Sequence, residues 1–126
     1  MAAVAAVEER PQWSGPVKSV TVETRYDDGR PKRIRADVSA VGIGDVEVSE
    51  FDWDGDEFVQ WKLIESGQQA EQVGSYRLTP TDNGTHVVFD LELSLKVKLP
   101  GFMQRRVLDM AMNTGSKDFA KYVEGR

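Results

Sequence analysis

From Val87 to Leu99 every odd position is apolar, namely Val87, Phe89, Leu91, Leu93, Leu95, Val97 and Leu99, while Asp90, Glu92, Ser94, Lys96 and Lys98 lie between them. Alternation over such a length specifies a strand with one buried face, because successive side chains of a strand point to opposite sides. Pro100-Gly101 ends it. The period then changes: from Phe102 to about Glu124, the residues Met103, Val107, Met110, Ala111, Phe119 and Tyr122 recur at helical spacing. A half-buried strand that runs straight into an amphipathic helix has two apolar surfaces to bury at once. A curved sheet closed by a C-terminal helix buries both and encloses an apolar cavity.

Upstream, strands alternate with turn chemistry. Ala2 to Glu9 favours a short helix that Pro11 is expected to terminate, and Trp13-Ser14-Gly15-Pro16 reads as a turn. Val17 to Tyr26, Lys32 to Val41, Val46 to Trp53, Phe58 to Glu65 and Val73 to Thr79 read as strands. Ile34, Ala36, Val38 and Ala40 share a face in the second, and Val59, Trp61 and Leu63 in the fourth. Asp27-Asp28-Gly29, Gly42 to Asp45, Asp54-Gly55-Asp56, Ser66-Gly67-Gln68 and Asp82 to Thr85 supply the reversals. About six strands joined by short hairpins make an antiparallel sheet, and the flanking helices make the class α+β. With 126 residues, 40% of them hydrophobic, the chain is expected to be a single domain over residues 1–126.

Several function classes are disfavoured. No apolar run approaches the roughly 18 to 20 residues of a membrane span, and Met1 to Val7 lacks the basic start and length of a secretory signal, so a cytoplasmic protein is expected. The absence of cysteine excludes disulfides, thiolate nucleophiles and zinc sites built on sulfur. A net charge of -5 argues against nucleic acid as a partner. The charge is uneven: residues 1–95 hold 9 basic and 18 acidic side chains, residues 96–126 hold 7 basic and 3 acidic. Lys96, Lys98, Arg105, Arg106, Lys117 and Lys121 either attract an anionic ligand head or lipid surface or, more simply, form a solvated helix face. The single histidine, His86, cannot build a multi-histidine metal site and falls opposite the apolar row, as a solvated strand-end residue would. Asp52-x-Asp54-x-Asp56 resembles the start of a calcium loop, but Glu57 and Leu63 occupy its glycine and bidentate-glutamate positions. No metal and no cofactor is expected.

The aromatic residues are more informative. Phe51, Trp53, Trp61, Tyr76 and Phe89 all fall on strands. If Phe51 and Trp53 face inward, parity puts Glu47 and Ser49 on the same face. Burying such groups unpaired costs roughly 1 to 3 kcal/mol, so Glu47 either meets a polar ligand group or lies at the open end of its strand in water. The candidate cavity lining is Phe51, Trp53, Trp61, Tyr76, Phe89, Leu91, Leu93, Met103, Val107 and Met110. Met103 and Met110 suit ligands of variable shape because their side chains are flexible and polarizable. Asn113-Thr114-Gly115 interrupts the helix stripe, which fits either a ligand passing close or a kink. Any catalysis would need an acid or base in the cavity, and Glu47 with Tyr76 is the best available pair.

Trp13-Ser14-Gly15-Pro16-Val17-Lys18-Ser19-Val20, Asp54-Gly55-Asp56 with Val59-x-Trp61-x-Leu63, Gly74-Ser75-Tyr76-x-Leu78-Thr79-Pro80, and Leu99-Pro100-Gly101-Phe102 with Arg105-Arg106 occur in this order. As a set, covering nearly the whole chain, they resemble the SRPBCC (START-like) superfamily, in its polyketide cyclase/dehydrase and lipid transport group and its actinobacterial branch. The resemblance implies a helix-grip fold, with a bent antiparallel sheet wrapped around a long C-terminal helix over a deep hydrophobic cavity. It also implies a ligand such as a lipid, polyketide, quinone or sterol-like molecule. The group has no universal catalytic residue, so no catalytic position is carried over.

Three readings follow. The first is a carrier of a hydrophobic small molecule, the second a cyclase or dehydratase, and the third a regulatory or interaction module with a packed interior. The resemblance adds one expectation about assembly. Members of the group usually begin with a strand that pairs beside the last one, whereas this chain starts within the first helix. The edge of residues 87–99 is then open to pairing with a second copy, and a homo-oligomer joined there is expected. Light scattering across micromolar concentrations checks this: a dimer or larger species is the expected result, and a monomer throughout overturns it.

Overall fold

Six successive segments of alternating apolar and polar residues form β1 (Val17–Arg25), β2 (Pro31–Ala40), β3 (Ile43–Asp54), β4 (Phe58–Ser66), β5 (Gln69–Thr81) and β6 (Gly84–Leu95). In the computed structural model, which describes residues 1–40, 43–96 and 100–124, they build one antiparallel sheet in chain order. β1 and β6 are its edges, and β6 has β5 as its only hydrogen-bonded neighbour among the described residues. Val97, Lys98 and Leu99, the end of the expected last strand, lie outside the described residues. Gly44 and Asp45, expected in a turn, belong to β3. The ladder with β2 continues through Ser39↔Gly44 to Ala40↔Ile43, and residues 41 and 42 lie outside the described residues. β5 likewise starts at Gln69 rather than Val73.

The N-terminal segment forms α1 (Ala2–Ala5), a 3-10 turn (Val7–Glu9) and α2 (Arg10–Trp13). Pro11 therefore opens a helix instead of ending one. It occupies the first turn of α2, where the missing N–H would have had no intrahelical partner and the fixed φ suits the helix. The C-terminal helix runs as α3 (Gly101–Asn113), a π turn (Thr114–Asp118) and α4 (Phe119–Glu124). The interruption at Asn113-Thr114-Gly115 is thus a π-bulge, a form helices use where the regular hydrogen-bond ladder is disturbed.

Departures from regular pairing occur in the β1–β2 ladder and, beside the cavity, in β4 and β5. Ile64 is an extra residue between Ser49↔Leu63 and Val48↔Glu65, and Ala70 is another between Gln69↔Leu95 and Glu71↔Ser94. Such bulges kink a strand and increase its twist. The resulting concave face is filled at one end by Ile34, Phe51, Val59, Trp61 and Tyr76 packed with Val4, Val7 and Phe119. Aromatic rings run through this core in a connected series, with centroid spacings of 5.8 Å for Trp53–Phe51, 5.6 Å for Phe51–Trp61, 5.6 Å for Trp61–Tyr76, 5.0 Å for Tyr76–Phe119 and 5.2 Å for Phe119–Trp13.

Two glycines permit this packing. A Cβ on Gly74 would stand 2.2 Å from the Trp61 indole, and one on Gly115 would stand 2.3 Å from the Phe89 ring. Trp61 pairs with Gly74 across the β4–β5 ladder, so the indole lies in the space that the missing side chain vacates. Gly115 lets the π turn of the C-terminal helix settle directly on Phe89. At the far end of the concave face the sheet and α3 remain apart.

Candidate functional site

The gap between the sheet and α3 is a half-open cavity of about 260 Å³. Leu91, Leu93 and Leu95 face it from β6, and Val107, Met110 and Ala111 from α3. These are the inward residues of the two sequence patterns: β6 alternates half-buried and exposed positions from Phe89 onward, and Val107, Met110 and Ala111 lie one turn apart. Trp61, Tyr76, Phe89 and Gly115 close the end next to the core.

The ten residues expected to line a pocket separate into two groups. Trp61, Tyr76, Phe89, Leu91, Leu93, Val107 and Met110 line this cavity. Phe51, Trp53 and Met103 do not. Phe51 is 1% exposed and stacked between Trp53 and Trp61, so it supports the cavity wall from behind. Trp53 is held farther out, where its Nε1 donates to the Pro31 carbonyl at 2.8 Å.

Parity holds along β3: Glu47 lies on the cavity side, with Asp45 beside it. Glu47 is therefore not a solvated strand end. Its Oε1 accepts a hydrogen bond from Gln69 Nε2, Gln69 Oε1 accepts from Gln72 Nε2 at 2.8 Å, and Gln72 Oε1 accepts from Trp61 Nε1 at 3.1 Å. This relay crosses β4 and β5 and fixes the carboxyl against the sheet. Burial, reinforced by the negative charge of Asp45, pushes Glu47 up to about 7, although Arg10 and the Gln69 bond both favour its ionised form. Asp45 is committed elsewhere, since it accepts from Ser66 Oγ, from Gly67 N at 2.7 Å and from Gln68 N at 3.2 Å, and so pins the β4–β5 hairpin.

Tyr76, the proposed partner of Glu47 in acid–base work, donates its hydroxyl to the Gly115 carbonyl at 2.6 Å. That carbonyl belongs to the π turn, and the bond ties β5 to the C-terminal helix. Burial raises the phenol well above the ordinary tyrosine range. Its proton is thus held in a structural bond, and Glu47 alone retains a titratable group suited to proton transfer near neutrality.

Arg10, Trp13 and Ser14 reach the cavity from α2 and the residue after it; the sequence marks Trp13 and Ser14 only as a turn, and Arg10 not at all. The Arg10 guanidinium lies over the rings of Phe51 and Trp61, 5.4 Å and 5.6 Å from their centroids, in a cation–π arrangement. Burial holds its pKa below the ordinary arginine value. His86 is exposed on β6. Among the described residues no group of three or more acidic or histidine side chains is placed to hold a metal, and no helix is long and apolar enough to cross a membrane.

A family model described as polyketide cyclase / dehydrase and lipid transport matches residues 1–124. No curated protein is similar enough in sequence to count as a relative. Among solved structures, a START superfamily protein from Mycobacterium smegmatis is similar with a TM-score of 0.86 and 23% identity, over 98% of this chain and 86% of that one. A protein from Thermus thermophilus is similar with a TM-score of 0.75 and 21% identity, over 95% and 81%. The Zhui aromatase/cyclase from a Streptomyces species is similar with a TM-score of 0.80 and 14% identity, over 98% and 83%. These likenesses establish a START-like, helix-grip fold.

The raised Glu47 carboxyl makes stability depend on pH. The folded chain holds this proton more tightly than the unfolded chain, so its stabilising effect is complete below about pH 4.5 and disappears as the pH rises through about 7. Chemical denaturation should therefore show stability falling between about pH 5 and pH 8, by on the order of 3 kcal/mol at about 1.4 kcal/mol per pH unit. Glu47→Gln should flatten that slope, and an unchanged slope in the variant would show that another group is responsible.

Proposed function

We propose, from the premise that this chain belongs to the polyketide cyclase/dehydrase and lipid transport family, that it binds a hydrophobic small molecule between the sheet and α3. The observation that carries this reading is the cavity itself. A surface that served only to pack would have been covered, because apolar side chains left facing open space forfeit contacts there. Here about 260 Å³ stays open beneath leucine, valine and methionine side chains. The fold shared with a START superfamily protein and an aromatase/cyclase supports the same reading, and it disfavours a packed interaction module.

The volume also bounds the ligand. It lies just under the range of about 300 to 1,000 Å³ typical of small-molecule pockets. One or two rings or a short chain fit within it, and a larger lipid or polyketide would extend through its open side. Apolar contact would supply the affinity, at roughly 25 cal/mol per Å² buried before the costs of association. A second reading, cyclase or dehydratase chemistry, is favoured by one observation: a carboxyl titrating near neutrality on the cavity wall. In that case Glu47→Gln should keep ligand binding and abolish turnover.

The binding reading is tested with the neutral fluorophore N-phenyl-1-naphthylamine. Its emission should rise on addition of the protein at micromolar concentration, and Leu93→Trp, which fills the cavity from β6, should weaken binding at least ten-fold while the thermal transition is retained. Equal binding by a folded Leu93→Trp variant would place the probe elsewhere and remove the support for this cavity.

A further inference from the structure

We infer that the ligand is an acid, a compact apolar body carrying a carboxylate that Arg10 grips; this deepens the proposed binding reading and rests on it. Both oxygens of Asp45 are occupied by the β4–β5 hairpin, one oxygen of Glu47 is taken by Gln69, and the Tyr76 proton belongs to Gly115. Arg10 is different. It lines the cavity, yet no hydrogen bond or ion pair to a described residue engages its guanidinium.

One helical turn on, Trp13 lines the same cavity, and its Nε1 is the one buried side-chain donor without a partner among the described residues. α2 thus brings unused donors to a pocket in which Asp45, the Tyr76 proton and one oxygen of Glu47 are already committed. The Arg10 guanidinium is half-buried over Phe51 and Trp61, and this cation–π contact leaves its N–H donors open to the cavity. The guanidinium fork presents paired N–H donors of the kind that bind a carboxylate bidentately. Leu91, Leu93, Val107 and Met110 would hold the apolar body.

Glu47 gives this recognition a pH dependence. The groups facing it are Asp45 from its own strand, Arg10 from α2, and the neutral Gln69 from β5, while its ladder neighbours Ala36 on β2 and Ser66 on β4 carry no charge. Tyr76 shares the electrostatic environment of Arg10. A ligand carboxylate beside Arg10 is repelled by an ionised Glu47 and accommodated by a protonated one. Acid binding therefore retains the Glu47 proton and weakens as that proton is lost.

Calorimetric titration of the full chain with 2-naphthoate and with 2-naphthalenemethanol, at about pH 6, compares two ligands of matched shape that differ in charge. The expected result is at least ten-fold tighter binding of the acid. Arg10→Gln should bring the acid-to-alcohol ratio close to one, and Arg10→Lys should preserve part of it. Raising the pH to about 8.5 should weaken the acid several-fold in the wild type and much less in Glu47→Gln. If the alcohol binds as tightly as the acid, the inference about charge is overturned and the apolar reading stands. If neither binds at millimolar concentration, both are overturned. Should Arg10→Gln fail to fold, the wild-type ratio and its pH dependence decide the matter.

Discussion

Trp61 joins the two halves of this molecule, and the rest of the arrangement depends on where its indole lies. The ring occupies the space above Gly74 that any other residue would fill, stacks on Phe51 and Phe89, and meets Tyr76 at 5.6 Å. One side of it belongs to the packed core and the other to the cavity wall. Its Nε1 begins the amide relay that ends on Glu47, and its face carries the Arg10 guanidinium. A single cross-strand pair, tryptophan over glycine, thereby sets the depth of the core, the edge of the cavity and the position of both ionisable groups at its polar end.

Those two groups are the least compensated features of the interior. Arg10 and Glu47 are opposite charges in one cavity, and each influences the proton affinity of the other, yet they form no ion pair. A direct pair would have engaged the guanidinium that the proposed acid ligand requires. Instead the relay through Gln69 and Gln72 holds the carboxyl to the sheet, and the aromatic floor holds the guanidinium to the core. Stability given up in this way is usually found at functional positions, where unsatisfied polar groups await a partner.

Much of this was legible in the residues. The alternation of β6 and the helical spacing of Val107, Met110 and Ala111 identified two walls of the cavity, because period and face are local properties. Strand parity placed Glu47 on the same side as Phe51 and Trp53. Whether an inward aromatic ring lines a cavity or packs behind it is not local: Phe51 was drawn into the core by neighbours on β4 and on α2. Arg10 carried no signal at all, since its role depends on how a four-residue helix sits over a sheet tens of residues away. Pro11 signals a helix stop by its usual effect, whereas in a first turn it is tolerated. The π turn at Gly115 answers to Phe89 and Tyr76, which a one-dimensional pattern could not supply.

The central claim is that the space between the sheet and the C-terminal helix is kept open for an apolar molecule. Native mass spectrometry of the purified full chain, followed by solvent extraction of anything retained, tests it most directly. The account predicts one small noncovalent adduct per chain, released on denaturation and extractable into organic solvent. A bare chain that stays bare after equilibration with millimolar 2-naphthoate and 2-naphthalenemethanol would contradict it.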